Sequence, residues 1–122
     1  MSLAVISPSV IRGTLTPPPS KSAAHRLLIA AALAGEGRVR GLSLSADMEA
    51  TLRAVRGLGV SVRLDGDAAC FAPAPPSSSP SPLPVDCGES GSTLRFLIPL
   101  YAARGIPAVF TGHGRLPERP LG

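Results

Sequence analysis

A chain of 122 residues, 44% of them apolar, is long enough for one domain with a modest core and too short for two complete ones. The net charge of +4 comes from arginines scattered along the sequence and a single lysine, with only four aromatic residues (Phe71, Phe96, Phe110, Tyr101). The clustered basic stripe and stacking platform of a nucleic-acid binder are therefore missing, and small anionic ligands are the better match.

Leu3 to Ile6 is strand-like. Ser20 to Leu33 then reads as an Ala- and Leu-rich helix, opened by serines after Pro17-Pro18-Pro19 and closed by Gly35 and Gly37. Within it, Leu27 to Ala34 has the outline of a signal-peptide core, but the long proline-bearing stretch before it argues against secretion. Val39 to Leu44 reads as a strand. Ser45 can cap a second helix with Met48, Leu52, Val55 and Leu58 on one face and a Glu49–Arg53 pair on another, ended by Gly57 and Gly59. Val60 to Leu64 and Ala69 to Ala72 flank Asp65-Gly66-Asp67 and form a hairpin. The order is βαβαββ.

Pro73 to Pro84 is a low-complexity run of Pro, Ser and Ala, taken as a surface loop. The pattern then restarts with a strand at Val85 to Cys87, a helix from Ser90 to Ala103 and a strand at Ala108 to Thr111. A shift of 69 residues lays Arg26 on Arg95, Leu28 on Leu97, Ile29 on Ile98 and Ala34 on Ala103. A first unit at 1–72, a loop at 73–84 and a second unit beginning at 85–122 follow from this restart. Pro99 should kink the third helix. Cys70 and Cys87 lie in apolar strand-like stretches and read as buried free thiols in a reducing, cytoplasmic setting. With His25 and His113 they give no zinc spacing, and no apolar run reaches the length of a membrane span.

Three segments carry chemistry. Lys21 stands at a helix N-terminus, where unpaired amides already supply positive charge, so an anion beside it would resolve the conflict. Ser22 and Arg26, four apart, share a face with it, and Arg26 leans back toward the same target. A capped helix with two surface cations fits these residues equally well. Gly88-Glu89-Ser90-Gly91-Ser92-Thr93-Leu94-Arg95 repeats the device with two glycines, three hydroxyls and an arginine, and departs from a Walker A motif in spacing and in lacking lysine. An ordinary strand-to-helix turn is the plainer alternative. Gly112 to Pro120 is a stiff loop whose prolines confine Arg119, as suits an arginine meeting a carboxylate or phosphate, or simply a loop in solvent. His113 reads as a loop residue.

Together and in this order, Pro19-Ser20-Lys21-Ser22 through Arg26, Gly88 to Arg95, and Arg115 to Pro120 resemble the P-x-S-K-S-x-x-x-R signature, Gly-rich second motif and R-x-x-x-R-P loop of the 5-enolpyruvylshikimate-3-phosphate (EPSP) synthase family. The resemblance implies an α/β fold of repeated βαβαββ units, the inside-out α/β barrel of enolpyruvyl transferases, with one unit complete and a second truncated. It implies transfer of the enolpyruvyl group from phosphoenolpyruvate to the 5-hydroxyl of shikimate 3-phosphate through a tetrahedral adduct, releasing phosphate without a cofactor. Lys21 would touch both substrates and is the one catalytic candidate. Ser22 and Arg26 would hold shikimate 3-phosphate, and Gly91 and Arg119 would line the phosphoenolpyruvate site. The family is longer, so the chain is expected to be an N-terminal fragment, inactive without the missing C-terminal portion.

One residue departs from the family's pattern. Glu89 replaces an asparagine common in the second motif and should point away or pair with an arginine. The related UDP-N-acetylglucosamine enolpyruvyl transferases have Lys-Asn where this chain has Lys21-Ser22, and a loop cysteine absent between Gly112 and Gly122. A non-catalytic anion- or RNA-end-binding module on the same fold is the alternative, told apart by tight RNA binding with a steep salt slope.

Overall fold

A computed structural model describes residues 2–76 and 78–120. Helix α1 (Lys21–Ala34) is capped by Ser20, whose extended backbone lets Oγ accept the Ala23 amide at 3.3 Å. Gly35 closes it, its amide donating to the Ala31 and Ala32 carbonyls. Ala24, His25, Leu28, Ile29 and Ala32 form its buried face.

Strand β1 (Gly37–Val39) is earlier and shorter than the expected Val39 to Leu44. Gly41, at φ 72°, turns the chain out of the sheet, and the Leu42 amide goes to the carbonyl of Asp67 at the hairpin turn. Helix α2 (Ala46–Val55) is capped by Ser45 and runs into a 3-10 turn at Arg56–Leu58. Arg53 does not make the expected pair with Glu49. It reaches across to Asp86, at 4.0 Å.

Strands β2 (Val60–Asp65) and β3 (Ala68–Pro73) form the expected antiparallel hairpin, and β3 is central in the order β1-β3-β2. Its Ala69 and Phe71 join Val39 and Val60 in the core beneath α1 and α2. Strand β4 (Leu83–Asp86) pairs in parallel with β5 (Ala108–Thr111) through the crossover helix α3 (Gly91–Ala103), a βαβ unit. Pro73 and Pro84, placed in the loop from sequence, end β3 and lie within β4; the irregular stretch between is shorter. Helix α3 continues through Pro99. Pro99 and Arg95 both lie on its exposed side, where a carbonyl deprived of its amide partner can meet water.

Residues 2–20 form neither helix nor strand. Leu3 and Ile6 are about nine-tenths exposed, so the strand expected there has no neighbour to pair with and the first unit reads αβαββ. Repetition is visible in the helices. The core residues Ala24, Leu28 and Ala32 of α1 have Thr93, Leu97 and Tyr101 of α3 in their places 69 residues on. The buried aromatic residues of the core are Phe71 and Tyr101, the latter edge-to-face on Phe110 at 5.2 Å.

Candidate functional site

The turn from β4 into α3 and the loop after β5 meet over a cleft of about 570 Å³, lined by Asp47, Glu89, Ser90, Gly91, Phe96 and Arg119 among others. Parallel pairing brings this about. With β4 and β5 side by side, the start of α3 and the exit of β5 stand at the same sheet edge.

Ser90 caps α3, Oγ accepting the Thr93 amide at 3.2 Å, and Ser90, Gly91 and Ser92 at the start of the helix line the cleft. Gly91 is the first helical residue. A Cβ there would lie 3.4 Å from the Arg119 guanidinium and 3.9 Å from Leu116, so the missing side chain is what admits the arginine beside the helix start. The loop holding Arg119 is anchored twice. The His113 amide donates to the Gly88 carbonyl at 2.9 Å, and Leu116, 4% exposed, plugs into the core at the head of a 3-10 turn, Leu116–Glu118. Arg95 adds a tie, donating to the Pro120 carbonyl at 2.7 Å.

Gly91 and Arg119, paired from sequence, are thus in contact. Lys21, Ser22 and Arg26 lie at the rim, all exposed. The Lys21 ammonium stands 3.7 Å from Asp47, whose side chain lines the cleft. Arg26 donates to the Ser22 carbonyl at 3.1 Å, and its guanidinium sits 5.5 Å above the ring of Phe96, another cleft residue. Lys21 itself does not line the main cleft; it borders a smaller hollow of about 140 Å³ with Ser20, Ser43 and Ser45. An exposed pair such as Lys21–Asp47 contributes little and yields readily to a stronger anion. Glu89, expected to point away or to pair with an arginine, lines the cleft and forms no ion pair with an arginine among the described residues: its carboxylate packs against Gly114 and lies 3.8 Å from His113 Nδ1.

Sequence reasoning missed a buried polar chain beneath the cleft. His25 Nδ1 lies 2.8 Å from Thr51 Oγ1, Thr51 Oγ1 lies 2.7 Å from Thr93 Oγ1, and the Thr93 hydroxyl donates to Ser90 Oγ at 2.7 Å. All four residues are buried and join α1, α2 and the cap of α3. Burial lowers the His25 pKa; Asp47 pulls it up and Lys21 down. The signal was present: each falls on the apolar face of its helix or at its cap, where a polar residue needs a partner. Cys87 is a buried free thiol as expected, pushed up to about 11 by burial and then by Asp86, with Arg53 opposing, and so inert; Cys70 is free and half-buried. Among the described residues no cluster of metal ligands occurs, and no helix is long and apolar enough to cross a membrane.

The family model described as EPSP synthase (3-phosphoshikimate 1-carboxyvinyltransferase) matches residues 5–122. A 3-phosphoshikimate 1-carboxyvinyltransferase of Clostridium perfringens is 37% identical over 122 residues, covering 99% of this chain and 29% of the relative. One from an Anaeromyxobacter species is 41% identical over 114 residues, covering 91% and 26%. A solved EPSP synthase from Acinetobacter baumannii superposes with a TM-score of 0.67 at 27% identity, over 89% of this chain and 25% of that one. The chain therefore spans less than a third of the length of the curated relatives it matches.

Proposed function

Because the chain belongs to the EPSP synthase family, we propose that it supplies one wall of a cytoplasmic cleft in which the enolpyruvyl group of phosphoenolpyruvate passes to the 5-hydroxyl of shikimate 3-phosphate. In that reaction the hydroxyl oxygen loses its proton and bonds to the phosphate-bearing vinyl carbon while the methylene gains a proton, so the C=C bond breaks and a tetrahedral adduct with a methyl group results. Loss of phosphate, with a proton leaving that methyl group, re-forms the C=C bond as the enol ether of the product. The observation that carries the reading is Arg119 beside Gly91 at the N-terminus of α3, which puts a guanidinium and the start of a helix on one anion-sized cleft.

The division of labour follows the charges. Arg119 and the amides near Gly91 take phosphoenolpyruvate, Ser22 and Arg26 take the shikimate phosphate, and Lys21 leaves Asp47 to lie between the two. Two multiply charged anions repel each other, and a preorganised cationic cleft offsets that repulsion. The first repeat closes with β3 at Pro73, and the second starts with β4 at Leu83. The partner of this wall is the remaining length of the family's fold, and by itself the chain has no transferase activity. Cells lacking their own EPSP synthase test this: the chain alone should not restore growth without aromatic amino acids, whereas the chain with a C-terminal portion of the enzyme should. Rescue by the chain alone, or none with both pieces folded and associated, would refute the proposal.

A further inference from the structure

Ser90 is 3% exposed yet lines the cleft, and its Oγ already accepts two hydrogen bonds, from the Thr93 amide and the Thr93 hydroxyl. Its own proton has no acceptor among the described residues. Each hydroxyl carries one proton, so the direction of the rest of the chain follows. Thr93 spends its proton on Ser90, so Thr51 must donate to Thr93. Thr51 then has none left for His25, and His25 must donate from Nδ1. We infer that Ser90 is a substrate-contacting hydrogen-bond donor to the anion in the cleft, and that His25 is the positioning residue that fixes this polarity through Thr51 and Thr93.

The opposite polarity shows what is at stake. With the proton on Nε2, His25 would accept from Thr51, Thr51 from Thr93 and Thr93 from Ser90. The Ser90 proton would then point inward, leaving a lone pair toward the anion. The two states differ in the tautomer of one imidazole and in the orientation of the three hydroxyl protons, and only the first offers a proton to an anion beside Gly91. Burial keeps the His25 ring neutral near neutral pH, so a tautomer is defined. That an anion occupies this cleft rests on the proposed function; the direction of the hydrogen bonds does not.

The test is nitrogen-resolved NMR of the imidazole in the 15N-labelled chain, free and with phosphoenolpyruvate, together with titration of that probe into the unchanged chain and Ser90→Ala. The expected result is the Nδ1–H tautomer of His25 in both states and a loss of phosphoenolpyruvate affinity in Ser90→Ala of roughly tenfold or more, the worth of a hydrogen bond to a charged group. An Nε2–H tautomer overturns the inference, and it is read in the unchanged chain, so the answer stands even if Ser90→Ala fails to fold. Equal affinity in a folded Ser90→Ala overturns it while leaving the cleft's function intact. If the Gly91 and Ser92 amides of the unchanged chain ignore millimolar phosphoenolpyruvate, the anion reading of the cleft fails and takes the role of Ser90 with it.

Discussion

Replacing Gly91 by alanine should separate stability from binding, because the two respond with opposite sign. The new methyl group would sit 3.4 Å from the Arg119 guanidinium and 3.9 Å from Leu116. The closer neighbour is the far end of an exposed, flexible side chain, so it can retreat by a few tenths of an ångström without disturbing the backbone. Gly91 takes the first helical position without a positive φ, and alanine there lowers the entropy lost on folding by up to about 0.5–1 kcal/mol. The melting temperature should hold or rise by a few degrees. Binding should weaken, because the retreating guanidinium lengthens a charge-assisted hydrogen bond worth about 1.5–3 kcal/mol, and losing half to all of it lowers affinity by roughly three- to a hundredfold. Thermal denaturation and titration with phosphoenolpyruvate measure the two effects. Unchanged affinity, or a melting temperature lower by several degrees, would refute the reasoning.

Leu116→Ala empties a core position and should cost about 2–5 kcal/mol in chemical denaturation, with Arg119 losing its fixed place. Lys21→Ala or Arg26→Ala should leave the denaturation midpoint nearly unchanged, since both are exposed, yet weaken shikimate 3-phosphate binding in the assembled enzyme by about 1.5–3 kcal/mol, read by calorimetry. Stability should fall in alkali. Cys87, raised from 9.0 to about 11, and Tyr101, raised from 10.0 to about 12, mainly by burial, are both neutral in the folded state. Their contribution is complete below the unfolded pKa values and is lost as pH rises from 9 toward 12, a loss of a few kcal/mol shared between two neighbouring groups. Tyr101→Phe should remove the later part of that loss in urea denaturation followed against pH.

The helices were legible because their caps and breakers are local. Ser20, Ser45 and Ser90 each accept the amide three residues on. The hairpin was equally plain, since Gly66-Asp67 leaves a two-residue turn between alternating runs. What depends on distant partners was not. Leu3 to Ile6 has a strand's composition, but a strand exists only beside another, and none lies there. Glu49 and Arg53 have the right spacing for a pair, yet Arg53 finds Asp86 across the fold.

The site divides the same way. Gly91 and Arg119 could be named from motifs, because a glycine at a helix start and an arginine held by prolines each suggest an anion. That Leu116 anchors the loop, and that Asp47 and Phe96 tie Lys21 and Arg26 to the cleft, depends on packing between segments far apart in sequence. The His25–Thr51–Thr93–Ser90 chain is the clearest case: four ordinary residues acquire a direction only when three helix faces meet.

Phosphate release from phosphoenolpyruvate in the presence of shikimate 3-phosphate tests the proposed activity most directly. It should be followed for the purified chain alone, for the chain mixed with a separately made C-terminal portion of the enzyme, and for the same mixture carrying Lys21→Ala. Release should occur only in the second sample, with the third reduced at least tenfold, the lower bound for a lost charge-assisted phosphate contact at about 1.4 kcal/mol per decade. Turnover by the chain alone, or equal turnover in the two mixtures, would contradict the assignment.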